Sequence, residues 1–74
     1  MGTKLETYLR SHGIKPIALG RESGYSRNFI LDIRAGRAEP TRKCIAAITV
    51  ACHRLSGERV RAADLFELDP DYRE

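Results

Sequence analysis

No stretch of this 74-residue chain is long and apolar enough to cross a bilayer, since a spanning helix needs about 20 consecutive apolar residues. The N-terminus lacks a charged-then-apolar leader, and the chain contains neither low-complexity segments nor internal repeats. A soluble, cytoplasmic protein is the expectation. Cysteine is scarce, with Cys44 and Cys52 the two present. Eight residues apart on one expected helix, their backbones are separated by about 12 Å, too far for an internal disulfide. They share a side with Ile45 and Ile48, so buried, reduced thiols are expected.

Constellations that carry catalysis are also missing. His12 and His53 fall on different expected helices, and neither has a carboxylate at motif spacing. Cys44, Cys52 and His53 do not have paired-ligand spacing, because adjacent residues on a helix point about 100° apart. A Gly-rich loop following a strand, which would cradle a nucleotide phosphate, is not found. The expectation is therefore a protein that is not an enzyme, with no metal, cofactor or small-molecule ligand. With no sensor domain expected, a regulator of this size would respond through its own concentration, its oligomerisation or a separate partner.

What is present fits one small domain: 42% hydrophobic and 31% charged residues. So short a chain buries a limited core, which favours dimerisation, although five short helices of this length can fold alone. The net charge is +3 and the pI near 9.2. Its distribution says more than its size. Residues 1–43 carry nine basic against four acidic side chains, a balance of +5; residues 44–74 carry four against six, a balance of −2. A basic front and an acidic end suit a module that offers one face to a polyanion. A solvated surface with a chance asymmetry has the same pattern.

Helical punctuation runs through the chain. Thr3 is a capping residue with Glu6 at the capping-box position of a first helix over 3–12, whose stripe is Leu5, Tyr8 and Leu9. Lys4 and Arg10 on it are exposed candidates for phosphate contact or ordinary surface charge. Pro16 suits the first position of a second helix ending at Ser23. Ile17, Leu19 and Gly20 are expected to face inward there, with Gly20 allowing close approach. The orphan amides at that helix start suit a phosphate oxygen, and Lys15 adds charge. Gly24-Tyr25-Ser26 turns the chain into a third helix over 27–35, capped by Ser26 and closed by Gly36. Two short helices joined by a three-residue turn with Gly have the helix-turn-helix signature. Arg27 and Asn28 stand in the first turn of the second of them. Arg can bond guanine bidentately and Asn adenine, so this helix has what is needed to read base edges. Thr41 caps a fourth helix to about Leu55, with a core stripe of Cys44, Ile45, Ile48, Cys52 and Leu55. A last helix is expected around Arg61–Glu67, stopped by Asp69-Pro70, leaving 69–74 as a short acidic tail beyond a domain of residues 1–68.

From Gly13 to Pro40 the chain resembles the lambda-repressor-like, Xre/Cro-type helix-turn-helix family. The resemblance rests on Gly13-Ile14, Leu19, Gly20, Gly24-Tyr25-Ser26-Arg27, Phe29-Ile30, Asp32-Ile33, Gly36-Arg37 and Pro40, whose spacing needs no gap. The N-terminal Lys4-Leu5-Glu6-Thr7-Tyr8-Leu9-Arg10 and the late Val60-Arg61-Ala62-Ala63-Asp64-Leu65-Phe66 are similar to short Cro-like regulators. The resemblance implies an all-α, five-helix DNA-binding domain. It implies bases faced by Arg27, Asn28 and Asp32, with Leu31 either touching a thymine methyl or packing locally. It implies sugar-phosphate contacts from Lys15, Pro16, Ser26, Arg37, Arg42 and Lys43. Lys15-Pro16 replaces the Ser or Thr followed by Gln usual in the family, so charge would take the place of a side-chain contact. Leu65, Phe66 and Leu68 are the dimer-contact candidates by the same resemblance; closing the monomer core is their other use.

Two functions stay open on the sequence. One is a sequence-specific, double-stranded-DNA-binding transcriptional regulator, a homodimeric repressor reading an inverted repeat through the major groove. The other is an antitoxin-like partner-binding module on the same scaffold, with weak DNA affinity.

Overall fold

Five helices and no strand occupy the described residues, 3–67, of the computed structural model. They are α1 (Lys4–Ser11), α2 (Pro16–Ser23), α3 (Arg27–Ala35), α4 (Arg42–Ser56) and α5 (Ala62–Leu65). Three of them begin where a hydroxyl meets an orphan amide. Thr3, Ser26 and Thr41 accept from Glu6 N at 3.1 Å, Phe29 N at 3.1 Å and Cys44 N at 3.2 Å. Each cap contributes about 1 kcal/mol. α2 has no side-chain cap and opens on Pro16, which has no amide to satisfy.

The helices bury one shared core. Leu5 and Leu9 of α1, Leu19 of α2, Ile30 and Ile33 of α3, and Ile48 and Cys52 of α4 all lie inside it. α2 packs on both α3 and α4, while α1 packs on α5 and α3. Both thiols are buried and unpaired. Burial pushes the Cys44 thiol up, and pushes Cys52 up to about 12. A thiol held that high stays protonated at neutral pH and is a poor nucleophile.

Two contacts set α3 against its neighbours. At the α2–α3 turn, a Cβ on Gly20 would lie 2.7 Å from the Tyr25 carbonyl oxygen. The missing side chain is what lets the turn's backbone rest on α2. Tyr25 itself stacks on Phe29, with ring centroids 5.0 Å apart, and its hydroxyl lies near the Cys44 thiol. One residue thus touches α2, α3 and α4. At the other end of α3, the Thr3 hydroxyl donates to Arg34 O at 2.6 Å while capping α1. One side chain thereby satisfies an amide at the start of one helix and a carbonyl at the end of another.

Several expectations are corrected. Ile17 points outward and is 46% exposed, while the fully buried Leu19, two residues on, lies on roughly the opposite side of α2. Leu55 is 38% exposed rather than part of the α4 stripe, since α4 reaches its last turn there and no helix covers it. The last helix is a single turn, Ala62–Leu65, rather than a span to Glu67: Phe66 is already extended, at φ −135° and ψ 149°. Leu65 and Phe66 are 1% and 8% exposed within one chain. Both belong to the core of the single chain, the other use that the sequence left open for them, and side chains already covered have little apolar area left for a dimer contact. Leu68, assigned with them, and the 69–74 tail lie outside the described residues.

Gly20→Ala is expected to lower stability. Crowding a backbone oxygen costs about 1–3 kcal/mol, more than the about 1 kcal/mol that Ala gains over Gly within a helix. A thermal melt that is unchanged or raised would contradict the close approach.

Candidate functional site

α3 carries the site residues because of its period. Arg27, Asn28, Leu31 and Asp32 fall within about 140° of arc, while Ile30 and Ile33 face the core. Arg27 and Asn28 are exposed, and Leu31 and Asp32 are intermediate. Arg27 and Asn28 stand in the first turn, where amides not bonded within the helix give the end a partial positive charge. The Ser26 oxygen takes the Phe29 amide at 3.1 Å, which leaves its hydroxyl hydrogen available to an outside acceptor.

The charged residues sort into paired and unpaired sets. Arg10 reaches Glu6 at 2.8 Å, Arg54 reaches Glu22 at 3.4 Å, and Lys4 donates to Ala63 O at 3.2 Å with Glu67 at 3.7 Å. Lys4 and Arg10, candidates for phosphate contact by sequence, therefore have partners inside the chain. Among the described residues Arg27, Asn28, Lys15 and Lys43 make no side-chain hydrogen bond or ion pair within the chain. Lys15 precedes the first turn of α2, and Arg42 and Lys43 occupy the first turn of α4, exposed in each case. Pro16, beside Lys15, is half-buried.

Asp32 and Arg37, given separate roles by the resemblance, meet each other in the structure. Gly36 takes the left-handed backbone at φ 80°, which folds the chain back over the end of α3. Arg37 N then bonds Asp32 O at 2.9 Å. Its guanidinium Nε and Nη2 each lie 3.1 Å from Asp32 Oδ1. The sequence signal for this pairing is the Gly closing the helix: a reversal there brings residues five apart together.

Comparison with protein-family models, curated proteins and solved structures finds no match. The chemistry of this surface is read from its own residues.

A second polar cluster ties α1 to the loop after α4. Tyr8 stacks on His12, with centroids 4.0 Å apart, and its hydroxyl bonds Ser56 Oγ at 3.0 Å. His12 Nδ1 faces Tyr8 O at 3.0 Å, and Nε2 faces Glu58 Oε2 at 2.8 Å. Both neighbours accept and neither donates, so the doubly protonated ring satisfies both. The Tyr8 carbonyl and then the Glu58 carboxylate raise the His12 pKa above its ordinary value. His53 Nδ1 lies 2.6 Å from Glu58 O, which places the two histidines on opposite groups of one residue. Among the described residues no cluster of three or more His, Cys, Asp or Glu side chains is arranged to hold a metal ion.

A raised folded-state pKa means that protonated His12 favours the folded state. Its contribution is complete below the unfolded value near 6.5 and is lost as pH rises through the higher folded value. The melting temperature of wild type should therefore exceed that of His12→Gln most below about pH 6.5, with the gap closing as pH rises. A constant gap from about pH 5.5 to 8.5 would rule out the charged latch.

Proposed function

We propose that this chain is a sequence-specific double-stranded-DNA-binding transcriptional regulator of the lambda-repressor-like, Xre/Cro type, acting as a repressor. α2, the Gly24–Ser26 turn and α3 are read as the helix-turn-helix, with α3 entering the major groove. The observation that carries this reading is the first turn of α3, where Arg27 and Asn28 are exposed and make no side-chain hydrogen bond or ion pair among the described residues. Long polar side chains without internal partners, at the positive end of a helix, suit base edges: guanine O6 and N7 for Arg27, adenine N6 and N7 for Asn28. Half-buried Leu31 offers a methyl contact to thymine.

Phosphates are assigned to Lys15, Ser26, Arg42 and Lys43, together with the start of α2 at Pro16. Their binding releases counterions, so affinity falls steeply with salt. A homodimer would read half-sites about 34 Å apart, or a multiple of that. With Leu65 and Phe66 covered in one chain, its contact surface lies elsewhere. The outward Ile17, 46% exposed, and Val50, 49% exposed, favour a second reading, a partner-binding module whose DNA affinity is weak.

Selection from a random duplex pool at about 0.15 M salt separates these readings. Enrichment of an inverted repeat is the expected result. A protein that enriches no sequence, loses DNA as salt rises and co-purifies with one defined protein would instead be the partner-binding module. On the enriched site, Arg27→Ala and Asn28→Ala should each cost about 1–3 kcal/mol and relax preference at particular base pairs. Lys43→Ala should weaken all sequences alike and reduce the salt slope by about 1. Equal losses on every sequence from all three variants would refute these roles.

A further inference from the structure

Among the outward-facing residues of α3, Asp32 is the one anion. A carboxylate turned toward a polyanion needs compensation, and Arg37 supplies it. The backbone bond from Arg37 N to Asp32 O, 2.9 Å, holds the two residues side by side. Both guanidinium contacts, 3.1 Å each, fall on the same oxygen, Oδ1. That oxygen is engaged twice, which leaves Oδ2 outside both of these contacts.

We propose that Arg37 is a positioning residue for Asp32 rather than a phosphate contact, and that Asp32 Oδ2 selects a base carrying an exocyclic amine. This inference rests on the DNA-binding reading above. The carboxylate accepts, so the matching group is an amino donor in the major groove, cytosine N4 foremost. Arg37 contributes in two ways. It offsets the carboxylate's charge against nearby phosphates, and it fixes the carboxylate plane so that the remaining oxygen is presented in one direction. Free in solution, an exposed ion pair of this kind adds little stability. Its effect is on orientation, and so on sequence preference.

The two assignments for Arg37 differ in what they do to salt dependence. A residue that contacts phosphate contributes close to one to the slope of log affinity against log salt, whatever the sequence. A residue that positions Asp32 leaves the slope unchanged and acts at one base pair. The experiment compares wild type, Arg37→Ala, Asp32→Ala and the double variant by sequence selection and by salt titration on the selected duplex. Melting curves check that each variant is folded; the pair is exposed, with side chains 65% and 49% accessible.

Asp32→Ala and Arg37→Ala should relax preference at the same base pair, by about five- to tenfold. The double variant should lose no more there than Asp32→Ala alone, and the salt slope of Arg37→Ala should equal that of wild type. A slope reduced by about 1 with base preferences intact would return Arg37 to the phosphates. Relaxation at two different base pairs, or at none, would overturn the coupling. A wild-type protein that enriches no sequence at all would remove the DNA-binding reading itself, a result distinct from both.

Discussion

The turn backbone is seated directly on Gly20. The Tyr25 carbonyl occupies the space that any side chain on that residue would fill. From this contact the neighbouring geometry follows. The turn can carry α3 back against α2, Tyr25 can stack on Phe29, and its hydroxyl can reach Cys44 on α4. Thr3 then fastens the far end of α3 by bonding Arg34 O. A helix of nine residues is marginal alone. Held at its start by Ser26 and Tyr25 and at its end by Thr3 and Gly36, it becomes a rigid mount for whatever its outer face presents.

Charge is arranged to match. Cations on α1 and the late part of α4 are engaged by Glu6, Glu22 and Glu67. Lys15 and Arg27 at the starts of α2 and α3, and Lys43 in α4, have no side-chain partner among the described residues. Surface pairs contribute little to stability, so their larger effect is on the field. They neutralise basic residues on some surfaces and leave the helix starts, already positive through their free amides, as the places where an anion is favoured. The proposed interface draws on this distribution.

The polar cluster of Tyr8, His12, Ser56 and Glu58 serves a different purpose. α1 and the segment after α4 are distant in sequence. An imidazolium donating to a carbonyl on its own helix and to a carboxylate on the other segment links them through charge-assisted bonds. The buried thiols make the opposite choice. Cys44 and Cys52 act as small apolar residues, protonated and shielded from solvent.

Local chemistry was legible in the sequence. Thr3, Ser26 and Thr41 as caps, Pro16 at a helix start, and Gly24 and Gly36 at helix ends depend on bonds between residues a few positions apart, and the structure has each of them. The helical segments and the burial of Ile48 and both cysteines were legible from capping residues and periodicity, while the all-α, five-helix arrangement came with the family resemblance. The candidate set Arg27, Asn28, Leu31 and Asp32 came with the same resemblance, and helix geometry brings these four onto one arc of α3. Ile17 and Leu55 were not legible: a stripe marks which residues lie together, while burial depends on whether another helix arrives to cover them. Leu65 and Phe66 gave no sign of whether they would close this core or join a second copy; the packing of α5 on α1 and α4 is what buries them in the single chain. The Asp32–Arg37 pair, the Thr3–Arg34 bond and the His12–Glu58 contact came from the tertiary structure, because each joins groups across a chain reversal or between separate helices. Sequence determined which segments are helical and what each offers; packing determined which of those offers are spent inside the chain and which remain for a partner.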